Sequence, residues 1–192
     1  MDLSGRQAAL LLTLPPTSLT QRSARRVLAC GLAGTPRIGG STWLYDDDAI
    51  SALRARPTIG AQECARRFPH GIFVSRRQVD VRWPSAQRRQ TLGRGWPIGL
   101  VTQLLIVARL ATDGFLPLVA TVGGFVVDGF DVTGVAMSGG GDGNDGTTHD
   151  FTLADPGEWF DQLRETRVPT GRGREWTMPG WEAPRKLRLS GA

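Results

Sequence analysis

Residues 31–53, GLAGTPRIGGSTWLYDDDAISAL, hold a helix stop, a tight chain reversal and a helix start in one short run. Gly31 can take the left-handed backbone that ends a helix. The Gly39-Gly40 pair suits a tight reversal, so PRIGGSTWLY (36–45) reads as two short strands around it. Asp46 or Asp47 then caps a helix over 46–56, with acids at the positive end of its dipole. Ile50 and Leu53 point inward, and Pro57 closes the helix. A phosphate-cradling loop would need a strand, a glycine pattern and a helix opening directly from the loop. Here a helix precedes Gly31, and the spacing fits neither the dinucleotide fingerprint nor the P-loop. The run reads as a hairpin.

Two helices lead into it. Residues 4–14 have Ser4 as a cap and Ala8, Leu11 and Leu12 at helical spacing, and Pro15-Pro16 must end them. A second helix follows in TSLTQRSARRVLACG, capped by Thr17, Ser18 or Thr20 and stopped by Gly31. Leu19, Ala24, Val27 and Leu28 form its inward stripe. Gln21, Arg22, Arg25 and Arg26 fall mostly on the other face.

Charge divides the chain. Residues 1–94 hold 15 Arg against 6 acids, a balance of +9; residues 95–192 balance at −4, which together make the net +5. A GC-rich genome would explain arginine in place of lysine, but not its concentration in one half. A basic front points to a polyanionic partner.

Helix, turn, helix, Gly31-Leu32, a two-stranded hairpin and Leu44-Tyr45-Asp46 at the next helix start resemble the winged helix-turn-helix of MerR-type regulators and phage excisionases. In that family an Arg often stands six residues before a Gly-Leu pair, the place of Arg25. The usual wing arginine is replaced here by Trp43, and Arg26 and Val27 stand where the family has aromatic residues. The resemblance covers residues 4–56. It implies binding of double-stranded DNA, with the second helix in the major groove and the wing on the backbone. Carried over by position, Arg25 meets phosphate, and Arg26 lies beside it on the same basic ridge. Thr20, Gln21 and Arg22 lie nearest base edges, and Arg37, Ser41 and Thr42 approach the backbone from the wing. Such domains usually dimerise through a long coiled coil, yet no sustained heptad is present, so a homodimer or protein partner would form through the back half.

Residues 57–94 read as a basic extension: a short helix at 60–67, GIFVS as a strand, RRQVDVRW alternating toward another strand, and SAQRRQTLGRG (85–95) as a linker. Residues 95–192 read as a small α+β domain with an antiparallel sheet. Its apolar helix, 97–112, turns Leu100, Leu104, Val107 and Ala108 inward, while Leu105, Ile106 and Leu110 widen the arc enough to suggest a central or interfacial position. Three short strands follow, turning at Gly123-Gly124 and Asp128-Gly129, then a glycine-rich loop, a strand and a helix near 156–166. The fold class is thus α+β, a winged helix-turn-helix followed by a small α+β domain.

Other chemistries are weaker. Cys64 and His70 are too few for a zinc site, and a single GGDGNDGTT nonapeptide cannot stack into a calcium-binding roll. Two His and two Cys supply no acid–base constellation, so no enzyme and no cofactor is expected. No apolar run spans a membrane and no export signal is evident, which makes the cytoplasm the default. The expected function is sequence-specific DNA binding, as a transcriptional regulator or excisionase-like factor. A protein-interaction adaptor and a small-molecule-binding regulator are the alternatives.

Overall fold

A computed structural model describes residues 1–139, 147–168 and 175–180. Ser4 opens the first helix with a capping box: its hydroxyl accepts from the Gln7 amide, and the Gln7 side chain accepts from the Ser4 amide. Helix α1 (Gly5–Thr13) buries Ala8, Ala9 and Leu12. Helix α2 (Gln21–Ala29) starts at Thr20, whose hydroxyl accepts from the Ser23 amide. It ends at Cys30, with Gly31 at φ +80°. A Cβ on Gly31 would lie 2.9 Å from Arg82 Nε, so glycine there answers both a backbone and a packing demand.

The hairpin follows as β2 (Arg37–Gly39) and β3 (Thr42–Asp46), and Asp46 caps α3 (Asp47–Ala55). One strand was not legible beforehand: β1 (Asp2–Ser4) pairs antiparallel with β3, Leu3 opposite Tyr45, giving a three-stranded sheet of order β1-β3-β2.

Helix α4 (Ala61–Arg67), β4 (Phe73–Ser75) and α5 (Ser85–Gly93) come next. Residues expected to form a linker are therefore largely helical, with Leu92 fully buried. RRQVDVRW is not a strand. Asp80 organises it as a turn, accepting from the Arg82 amide at 2.8 Å, while Val79 alone drops into the core.

Helix α6 (Leu100–Asp113), β5 (Leu116–Val122), β6 (Phe125–Gly139), β7 (Thr148–Ala154), a 3₁₀ turn (Glu158–Gln162) and β8 (Trp176–Thr177) complete the described chain. The second sheet runs β7-β6-β5-β4-β8. It is mixed rather than antiparallel, because β4 lies parallel to β5, with Val74 opposite Val119 and the crossover passing through α5 and α6. Asp128-Gly129 lies inside β6 rather than at a turn, and the expected helix near 156–166 is the short 3₁₀ turn. A Cβ on Gly129 would come 2.4 Å from the Phe160 ring, so that glycine admits a side chain and not a reversal. The glycine-rich residues 140–146 lie outside the described part.

Helix α6 is turned opposite to expectation. Ile106 is fully buried, whereas Leu100, Val101, Leu104 and Val107 are exposed. The helix is apolar around most of its circumference, so spacing alone could not select the inward face.

Alternate residues of the second sheet feed two apolar layers. Phe73, Leu118, Phe130 and Phe151 join a large core that also takes in Leu12, Val27 and Ile50. Val74, Val119 and Val126 face Ile59, Cys64, Phe68 and Leu163. Trp96 anchors the first layer: it stacks on Phe151 at 5.8 Å and meets Phe73 edge-on at 5.0 Å. Its indole N–H donates to Leu92 O at 2.6 Å, and the Arg77 guanidinium sits 3.8 Å from its ring centroid. Trp96→Ala should cost about 3–5 kcal/mol. Urea unfolding checks this; a loss under about 1 kcal/mol would show that the cluster is not the anchor described.

Candidate nucleic-acid interface

Helix α2 has three faces with different neighbours. Ala24, Val27 and Leu28 are buried against the core. Gln21, Arg25 and Ala29, about a turn apart, flank that stripe on one side, beside Leu28 at its edge. They line a groove of about 960 Å³ with Gly5, Arg6 and Ala9 of α1, Trp43 and Tyr45 of β3, Pro36 and Arg82. Ser23 and Arg26 flank the stripe on the other side and, with Thr20, line a separate cleft.

The eight residues expected to meet DNA therefore divide. Gln21 and Arg25 converge in the groove, and both are exposed. Arg22 is exposed between the two flanks. Thr20 is exposed but its hydroxyl serves the helix cap. Arg26 is half-buried: its Nε–H donates to Gln78 Oε1, and Nη2 lies 3.5 Å from Arg76 O. Ser41 and Thr42 are exposed at the hairpin tip, and Arg37 lies on β2 in an ion pair with Asp2. That surface pair leaves the Arg37 side chain 73% exposed and contributes little to stability.

Nine of the eleven groove residues lie outside the expected set, among them Arg6, Trp43 and Arg82. Arg6 stands exposed in the first turn of α1. Trp43 is 56% exposed and offers an aromatic face. Arg82 comes from a segment far along the chain. Its Nη2 donates to Ala29 O at 2.8 Å, at the C-terminal end of α2, where a cation is favoured. Asp80 fixes it from the other side, with Nε–Oδ1 at 2.8 Å. That hydrogen bond holds the Asp80 carboxyl below its ordinary value and raises the Arg82 guanidinium. The groove thus carries Arg6, Arg25 and Arg82, with no carboxylate among its lining residues.

Neither cysteine is set up for chemistry. Burial pushes the Cys30 and Cys64 thiols up to about 11, so both stay protonated at neutral pH. His70 is exposed and lies 3.3 Å from Asp113. Among the described residues no group of three or more His, Cys, Asp or Glu is placed to hold a metal ion, and no helix is long and apolar enough to cross a membrane.

Because Asp80 is depressed in the folded state, its stabilising effect is present above its unfolded value, ordinarily 3.8, and is lost as pH falls through the folded one. Urea stability measured from about pH 5 down to 2 should fall less steeply in Asp80→Asn than in the unaltered chain. Equal slopes would remove Asp80 from the acid response. No protein-family model, curated protein or solved structure matches this chain.

Proposed function

We propose that this chain is a sequence-specific DNA-binding protein, a transcriptional regulator or an excisionase-like accessory factor, with residues 1–56 acting as a winged helix-turn-helix. The observation that carries the proposal is the groove in which Gln21 and Arg25 of α2 stand beside Trp43 of the hairpin and Arg6 of α1, without an opposing acid. A helix N-terminal half lying exposed next to a two-stranded wing is the arrangement by which such domains enter a major groove and touch the adjacent backbone. The element order β1-α1-α2-β2-β3-α3 is compatible with it.

Within this reading, Arg25 neutralises a phosphate, whereas Gln21 and Arg22 reach base edges, since Gln suits adenine and Arg suits guanine. Arg26 is withdrawn from the interface by Gln78, and Arg37 is engaged by Asp2. Binding to a duplex should weaken steeply with salt, because each neutralised phosphate releases counterions. Arg25→Ala is expected to lower affinity for all sequences and to reduce the salt slope by about 1. Gln21→Ala should instead change preference among sites, read by selecting duplexes from a random pool and sequencing them. A flat salt titration would count against the whole proposal.

A single winged helix binds weakly alone, so a second copy would add affinity through a shared tether. The exposed stripe Leu100, Val101, Leu104 and Val107 on α6 supports a homodimer. Arg109 and Asp113, the charged residues of α6, pair with each other, which leaves the stripe uncharged and free of like-charge repulsion across a two-fold axis. Sedimentation should show a dimer for the unaltered chain and a monomer for Leu104→Glu. A monomer in both would exclude this face as the contact.

A further inference from the structure

The second cleft beside α2 has the chemistry of an anion site. It encloses about 400 Å³ between the start of α2, the Pro16–Leu19 loop and the Gly123-Gly124 turn that joins β5 to β6. Three arginines line it, Arg26, Arg76 and Arg167, and none of its lining residues is acidic. Thr17, Ser18, Thr20, Ser23, Thr58 and Thr121 share its wall; the Thr17, Thr20 and Thr121 hydroxyls donate to Leu14 O, Ser23 Oγ and Ser75 O, which leaves Ser18, Ser23 and Thr58 as the hydroxyl donors of the cleft.

Arg167 is the informative member. It is only 5% exposed, yet its described hydrogen bonds go to neutral carbonyls: Nη2 to Thr17 O at 2.8 Å and Nη1 to Pro16 O at 3.3 Å. Among the described residues its buried Nε has no hydrogen-bond partner. Among the described residues no carboxylate forms an ion pair with it or with Arg26. Burying a guanidinium against carbonyls and an aromatic ring is costly without a compensating anion. The cleft also receives the positive end of α2, a nine-residue helix. Gly123, at φ +60°, would bring a Cβ to 2.8 Å from Val27, so the turn sits against α2 as closely as glycine allows.

We propose that this cleft binds a phosphoryl group, with Arg167 and Arg26 as the charge-bearing ligands and the Thr20–Ser23 end of α2 completing the cradle. Arginine matches phosphate oxygens in a planar fork, hydroxyls donate single bonds, and the helix end supplies partial positive charge. The volume suits a small phosphorylated molecule. The same chemistry would also accept a phosphate of a DNA backbone. Because the cleft shares α2 with the groove, occupancy would stiffen the helix that carries Gln21 and Arg25. The site does not depend on the DNA reading, since it uses the opposite flank of the helix.

The probe is inorganic phosphate added to the intact chain, with ionic strength held constant by chloride. A saturable rise in Tm of about 3–6 °C at ten times Kd is expected. The rise should vanish in both Arg167→Gln and Arg26→Gln and persist in Arg25→Ala. Arg26 is half-buried, so its variant keeps the test readable if Arg167→Gln does not fold. A short duplex then separates the sources. If phosphate leaves duplex affinity unchanged, a small phosphorylated ligand is the occupant; if it competes and Arg26→Gln weakens the duplex too, the occupant is a backbone phosphate. The absence of a saturable rise over chloride, or a rise of equal size in Arg26→Gln, overturns the proposal.

Discussion

The wedging of α2 between the N-terminal helices and the β5–β6 turn governs the rest of the molecule. Ala24, Val27 and Leu28 are fixed in the core, and Val27 meets the Gly123 backbone directly. With that stripe fixed, helical geometry dictates where every other side chain of α2 goes. Gln21 and Arg25 face the hairpin, Ser23 and Arg26 face the sheet, and Arg22 faces solvent. A helix rotated by one residue would bury arginine and turn part of the apolar stripe outward.

The core that imposes this rotation is continuous. Residues of α1, α2 and α3 share one apolar cluster with Phe73, Trp96, Phe130 and Trp176. Polar links reinforce it. Val81 N–H donates to Cys30 O at 2.9 Å, Arg82 reaches Ala29 O, and Arg167 reaches the Pro16–Thr17 carbonyls. The segment 76–83 thereby connects the end of α2 to the second sheet without regular structure of its own. It supplies Arg82 to one cavity and Arg76 to the other.

The elements of residues 4–56 were legible because each carries local punctuation: Ser4 and Thr20 caps, the Pro15-Pro16 stop, Gly31, the Gly39-Gly40 reversal and the Asp46 cap. The exception, β1, is three residues long and is defined by pairing with β3, which no local signal encodes. Long-range pairing also hid the parallel place of β4, whose three residues are buried on both faces and show no alternation. The alternation in RRQVDVRW was outweighed by the Asp80 turn. Helix α5 has the sequence of a linker because it is polar, with Leu92 its one large apolar side chain. For the candidate site, Gln21 and Arg25 could be placed from helical spacing alone. Arg6 and Arg82 could not, since their proximity is a product of the tertiary fold. Nor could the role of Gln78 in drawing Arg26 aside.

The position of β4 has a consequence for how the chain assembles. This short strand, second from one edge of the sheet, is flanked by β5 on one side and β8 on the other, both contributed by residues much later in sequence. During synthesis Phe73–Ser75 must wait, apolar and with unsatisfied backbone groups, until its partners emerge. The surface of α2 that packs on the β5–β6 turn waits with it. The front helices can form early from local signals, but the orientation of α2 becomes fixed only when the middle of the second sheet closes, a step dominated by non-local contacts and therefore slow.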